Sequence, residues 1–214
     1  MALEITPRET ILKRVRQAVI EKTKNPYPDL DLDSPLMKTV DEDSAVNFAD
    51  AFTAAEGQFV YCAHQFEFID NLISLIEAKG WTKIYCTENK IQQQFTETGI
   101  EFSNKYEEGE YIEVAITLCE ALISSSGSVL VSSKQHNRSL IHLTQAHVVV
   151  AHVAQIAHDI KEGFTMIKNK YGKEPPSWMS LITGPSRTAD IERTRIVGMH
   201  GASELYVFLI DNQK

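Results

Sequence analysis

The sequence predicts a three-layer α/β fold, a mainly parallel sheet with helices on both faces, preceded by an N-terminal helical arm. Three observations predict it. Short apolar runs alternate with longer stretches whose apolar residues recur at helical spacing. Many of the runs are continuously apolar, as strands covered on both faces are. A proline-bearing break then sets the first helix apart, giving an arm and linker over 1–40 and an α/β domain over 41–214.

Thr6-Pro7-Arg8-Glu9 joins a capping hydroxyl, a proline at the first helical position and a glutamate placed to reach back to the cap, so a helix begins there. Leu12, Val15 and Val19 share one face until Asn25-Pro26-Tyr27-Pro28 ends the pattern. Lys24 to Pro35 reads as a linker, and a second helix begins near Asp43, carrying Val46, Phe48, Ala49 and Phe52. Phe59 to Ala63 is a strand, followed by a helix with Ile69, Leu72, Ile73 and Ile76 that stops at Gly80. Lys83 to Thr87 and a shorter helix with Ile91 and Phe95, stopped by Gly99, repeat the unit.

Glu113 to Thr117 and Val129 to Ser133 read as further strands, separated by a short helical piece and the turn Ser124-Ser125-Ser126-Gly127. His147 to His152 is another strand. One amphipathic helix is expected from Gln155 to about Tyr171, and Ser180 to Thr183 and Leu205 to Ile210 supply the last strands.

Composition narrows the function. The chain of 214 residues is 43% apolar, enough for one good core, and its formal net charge of -8 argues against nucleic acid, whose phosphates reward a basic face. Its apolar runs are far shorter than the about 20 residues that cross a bilayer, and Met1 to Arg8 lacks the pattern of a secretory signal. A cytoplasmic location without membrane insertion is expected. Cys62, Cys86 and Cys119 stand far apart in apolar stretches and read as core residues, so no iron-sulfur cluster held by this chain alone is expected. The histidines lack the spacing of a zinc protease, no G-x-G-x-x-G follows a strand, and no P-loop occurs; neither metal nor cofactor is expected.

The densest functional candidate is Ile182-Thr183-Gly184-Pro185-Ser186-Arg187-Thr188-Ala189-Asp190-Ile191-Glu192, directly after a predicted strand. Gly184 lets backbone approach a ligand, Ser186 offers a hydroxyl, and Arg187 offers a forked donor suited to a carboxylate or phosphate. The plainer reading is a turn that caps a helix, with Arg187 paired to Asp190 or Glu192. His200, between Gly198-Met199 and Gly201, could bind an anion or move a proton, or simply bond to backbone in a loop. Ser126 and Gly127, in the second hydroxyl-rich turn, can offer N–H groups and hydroxyls to a bound oxygen. No residue is assigned a catalytic role, and a small anionic ligand is expected.

The run from Ile182 through Glu192, followed by Gly198-Met199-His200-Gly201 and a closing strand, resembles the LutC-type lactate-utilization proteins, which carry the LUD domain. Ile116 through Ser128 to Arg138-Ser139-Leu140 fits the same family, so the resemblance covers roughly Glu113 to Ile210. It implies a Rossmann-like α/β fold of the NagB/RpiA/CoA-transferase-like kind. It also implies a place beside two iron-sulfur proteins that oxidise L-lactate to pyruvate, this chain being the component without a cluster. Where many relatives read E-T-G-T, this chain reads Ser125-Ser126-Gly127-Ser128, which removes the carboxylate a CoA transferase would use as nucleophile. Ala202 stands where a proline is customary. The alternatives are a stand-alone enzyme acting on a phosphorylated or CoA-linked metabolite and a purely structural partner; a homo-oligomer is left open.

Overall fold

The computed structural model describes residues 6–20, 27, 29, 43–107, 111–134, 140–189 and 195–211. The chain divides into two units, Met1–Lys38 and Thr39–Lys214. In the first, helix α1 (Pro7–Ile20) opens with the expected reciprocal cap: the Thr6 N–H donates to Glu9 Oε2 at 3.0 Å and the Glu9 N–H donates to Thr6 Oγ1 at 3.3 Å. Most of the linker read between Lys24 and Pro35 lies outside the described residues.

The second unit begins with α2 (Ser44–Ala54), capped by Asp43, whose carboxylate accepts from the Ala45 N–H at 2.9 Å. It continues through β1 (Gln58–Cys62), α3 (Gln65–Lys79), β2 (Ile84–Cys86), α4 (Asn89–Thr98), β3 (Ile112–Leu118), β4 (Ala121–Ile123) and β5 (Ser128–Ser132). Then come α5 (Leu140–Leu143), β6 (Thr144–His152), β7 (Ile156–Ala157), α6 (Ile160–Tyr171), β8 (Met179–Ile182), β9 (Arg187–Ala189), β10 (Arg195–Val197) and β11 (Glu204–Ile210). Gly80 and Gly99 end α3 and α4 in the left-handed conformation, as their sequence positions suggest.

The central sheet has the order β1-β11-β6-β3-β2, with every neighbouring pair parallel. Its strands are apolar on both faces because both are covered. Val114, Ile116, Val148, Val150 and Phe208 meet Phe68, Leu72 and Ile76 of α3 and Ile91 and Phe95 of α4 on one side. The alternate residues Val149, Ala151, Val207 and Leu209 meet Phe48 and Phe52 of α2 and Leu122, Val129 and Val131 on the other. Burying a side chain of this size stabilises by about 1.5–3 kcal/mol, so the two faces together form the main core.

The second face departs from the expected plain helical layer. The piece read as helical before Ser124 is strand β4, which turns through Ser124 to Gly127 and pairs antiparallel with β5; β7 and β8 complete a four-stranded sheet of order β7-β4-β5-β8. Ala121, Leu122 and Ile123 are all buried, because one side of this small sheet packs on the central sheet and the other receives Ile167 of α6. A three-residue strand carries too short a pattern to separate it from a helical turn. For a similar reason the helix expected from Gln155 starts later: Val153–Gln155 is a 3-10 turn and β7 intervenes before α6, whose N-terminus is fixed by the Asp159 carboxylate accepting from the Glu162 N–H at 2.8 Å. The Arg187 stretch is a strand of the β9–β10 hairpin rather than the cap of a helix.

Candidate functional site

The two turns singled out in the sequence come together. Ser128 Oγ lies 2.7 Å from Thr183 Oγ1 and 2.7 Å from Ser126 Oγ, so three hydroxyls form one chain joining the β4–β5 turn to the end of β8. Both turns press against the end of α2. Gly127 has φ +59°, and a Cβ there would collide with the backbone of Ala51 and Phe52. Gly184 has φ +70°, and its Cβ would strike the carbonyl oxygen of Ala55. Only glycine combines that conformation with that closeness.

Arg187 is committed to the same contact. Its Nη2 donates to the Ala55 carbonyl oxygen and lies 3.2 Å from Glu56 Oε2, where Glu56, at φ +68°, turns out of the helix end. The sequence suggested Asp190 or Glu192 as its partner; those two lie outside the described residues, whereas Glu56 is 131 positions away and no local pattern points to it. Pro185 and Ser186 are half-buried between these contacts. The Ser186 N–H donates to the Ala202 carbonyl at 2.8 Å, and Ser186 Oγ accepts from the His200 N–H at 3.3 Å. The Gly198–Gly201 loop thus folds over Ser186, with His200 itself exposed. Among the described residues, three shielded atoms in and beside these turns have no hydrogen-bond partner: Ser125 Oγ, His158 Nε2 and Arg187 Nε.

This cluster lies at the amino ends of the parallel strands. The end of α2 leads directly into β1, and the Gly198–Gly201 loop leads directly into β11. The Ser203 N–H donates to the Gln145 carbonyl at 2.8 Å, near the start of β6. The strand before Thr183, β8, belongs to the small sheet and runs antiparallel to β5.

The carboxyl ends hold a cleft of about 880 Å³ instead. Thr87, Glu88 and Asn89 line it from the β2–α4 turn, Leu118 from β3, Val150 and His152 from β6, Gln155 from the 3-10 turn after β6, and Lys170 from α6. The sequence reading missed it, although Thr87-Glu88-Asn89 is also a polar turn between a strand and a helix. Burial pushes the Glu88 carboxyl above its ordinary value, against the Leu118 N–H that donates to it and the positive charge of Lys170. Thr87 Oγ1 is shielded and has no hydrogen-bond partner among the described residues. Behind this wall Glu120, only 5% exposed, accepts from Lys170 Nζ at 2.9 Å, Tyr171 at 2.8 Å and Ser132 at 2.5 Å. Burial alone would raise its carboxyl, but those three donors outweigh it and hold it below the ordinary value.

His147 and the cysteines lie in the core. His147 lies buried in β6 with Nε2 2.7 Å from Thr117 Oγ1. The three cysteines sit in the core, Cys62 and Cys86 under α3 and α4 and Cys119 beneath the small sheet.

The family model described as LUD domain matches residues 47–210. The chain belongs to the LUD-domain family. Among its relatives, Lactate utilization protein C of Bacillus subtilis is 32% identical over 107 residues, covering 49% of this chain and 45% of that protein. Lactate utilization protein C of Bacillus licheniformis is 30% identical over 107 residues, with coverage of 49% and 45%. Protein YkgG of Escherichia coli is 30% identical over 113 residues, with coverage of 49% and 47%. The chain spans about half the length of the curated relatives it matches. The crystal structure of a DUF162 family protein from Deinococcus radiodurans superposes with a TM-score of 0.59 at 16% identity, over 78% of this chain and 96% of that one, which is a likeness of fold. Among the described residues of the LUD-domain chain, no helix is long and apolar enough to cross a membrane.

Proposed function

We propose that this LUD-domain chain is a subunit of a lactate-utilization system that supports oxidation of L-lactate to pyruvate beside iron-sulfur partner proteins, and that it holds a small anionic ligand at the amino-end cluster. Relatives named lactate utilization protein C support the first part. Its cysteines support it too, since all three are core side chains, which leaves electron transfer to partners. The observation that carries the second part is the set of shielded polar atoms without partners, Ser125 Oγ, His158 Nε2 and Arg187 Nε. Such atoms cost about 1–3 kcal/mol each while unmet, and a bound oxyanion would accept from the hydroxyl and the guanidinium.

Glu56 then acts as the resident competitor. Its carboxylate lies 3.2 Å from Arg187 and its side chain is 56% exposed, so a ligand carboxylate can replace it without uncovering a buried charge. Thermal-shift titration with L-lactate and pyruvate tests this: stabilisation should disappear in Arg187→Ala and begin at lower ligand concentration in Glu56→Gln. Equal stabilisation of wild type and Arg187→Ala would move the site elsewhere. The physiological part is tested by deleting the gene, which should abolish growth on L-lactate, and by affinity purification, which should retain iron-sulfur partners. Undiminished growth on lactate counts against it.

A further inference from the structure

The central sheet places a crevice where adjacent strands send the chain to opposite faces. After β2 the chain enters α4, which packs on the face shared with α3. After β3 it enters β4 and the small sheet, which packs on the other face. The exits of β2 and β3 therefore diverge, and the cleft of about 880 Å³ opens between them at the carboxyl ends. In open α/β sheets this divergence creates a ready-made ligand crevice.

Its lining specifies the kind of ligand. Ile91, Leu118, Val150 and Ile210 give the cleft an aliphatic floor from α4 and three parallel strands, with Leu118 the most accessible of the four. Around it stand amide and hydroxyl groups, Gln94 and Thr87 among them, which both donate and accept, while Gln155 is engaged with the His152 N–H and the Cys119 carbonyl. The electrostatics disfavour a highly charged ligand: the carboxyls of Glu88 and Glu97 face the cleft, while Lys170 is occupied by Glu120 at 2.9 Å. A sugar alone would leave the aliphatic floor uncovered, and an apolar ligand would leave Thr87 Oγ1 unpartnered. A heterocycle bearing a hydroxylated ring satisfies both.

We propose that this crevice is a second ligand site, separate from the amino-end cluster, and that it takes the uncharged nucleoside portion of a metabolite. The heterocycle covers the aliphatic floor, and Thr87 Oγ1 gains its missing partner from a ring nitrogen or a ribose hydroxyl.

Isothermal titration calorimetry of the full chain with adenosine, guanosine, ribose and AMP tests the assignment. At least one nucleoside should bind, ribose should not, and AMP should bind no more tightly than adenosine. Thr87→Val, which keeps the shape and removes the hydroxyl, should weaken nucleoside binding by about tenfold, a loss of the size expected for one buried hydrogen bond. Gln94→Trp, a half-buried position on the cleft wall, should block binding while leaving the unliganded melting temperature unchanged. Arg187→Ala should have no effect, which separates this site from the anion site. Failure of both nucleosides to bind, AMP binding tenfold more tightly than adenosine, or undiminished binding by Gln94→Trp would each overturn the proposal.

Discussion

Ser128 Oγ, at the start of β5, stands 2.7 Å from Thr183 Oγ1 beyond the end of β8, with Ser126 Oγ 2.7 Å away on its other side. Ser128 is buried, whereas Thr183 is exposed and Ser126 half-buried, so both neighbours can turn to water once its hydroxyl is lost. Ser128→Ala should cost about 0.5–1.5 kcal/mol, the net worth of a hydrogen bond whose partners remain solvated. At roughly 2–4 °C per kcal/mol for a chain of this size, calorimetry should register a clear fall in Tm. An unaltered Tm would mean that the hydroxyl chain is not a structural joint.

Gly127→Ala and Gly184→Ala should each destabilise more than Ser128→Ala. Both positions have positive φ, and both face the backbone at the end of α2 rather than a side chain that could move aside. Strain of about 1–3 kcal/mol adds to the displacement of that helix end. Chemical denaturation of the purified variants checks the ranking, which fails if either glycine variant matches wild type.

Acid should weaken the link between Glu120 and α6. The three donors hold the folded-state carboxyl below its ordinary value, so its contribution is fully present above the unfolded value of about 4.3 and is lost as pH falls through the folded value. Glu120→Gln should cost about 1–3 kcal/mol at pH 7, and its deficit should shrink steadily in urea titrations taken below pH 4. A deficit independent of pH would show that the charge contributes nothing.

Thiol reagents should distinguish folded from unfolded protein. Burial pushes the Cys86 thiol up to about 12 and raises Cys62 and Cys119 as well, so thiolate is scarce and access is blocked. Native protein should leave all three cysteines unmodified under conditions where denatured protein reacts at three. Rapid labelling of the native state at any one of them would contradict their core role.

The alternation that predicts the central sheet is legible because each of its longer strands is apolar on both faces and several are followed by a helix with a glycine stop, as at Gly80 and Gly99. The small sheet is not legible. Ala121-Leu122-Ile123 is buried all round, so it has no periodicity to read, and its partners β5, β7 and β8 are set by tertiary pairing. The Ser126, Gly127, Thr183 and Gly184 grouping can be read as chemistry, yet its place in the fold cannot, because the strand before Thr183 looks in sequence like one more member of the parallel sheet. Arg187 shows the limit most directly: its charge is visible, but Glu56 becomes its partner only once α2 and β9 have docked. Thr87 and Glu88 have the same strand-to-helix setting and lack only the clustered glycines and hydroxyls that draw attention elsewhere.

Among the described residues the edge strand β1 has a single sheet neighbour, β11, and Tyr61 near its end donates to Asp211 at 2.7 Å. On a ribosome, β1 emerges long before that neighbour exists, while β2, β3 and β6 can already pair among themselves. Its backbone donors and acceptors must wait, with α3 crossing the sheet to hold the place open. A chain halted before Glu204 would keep most of its helices yet present both β1 and β6 as unpaired edges, a template for joining other chains. The last strand is thus the keystone whose arrival turns an adhesive intermediate into a self-contained sheet.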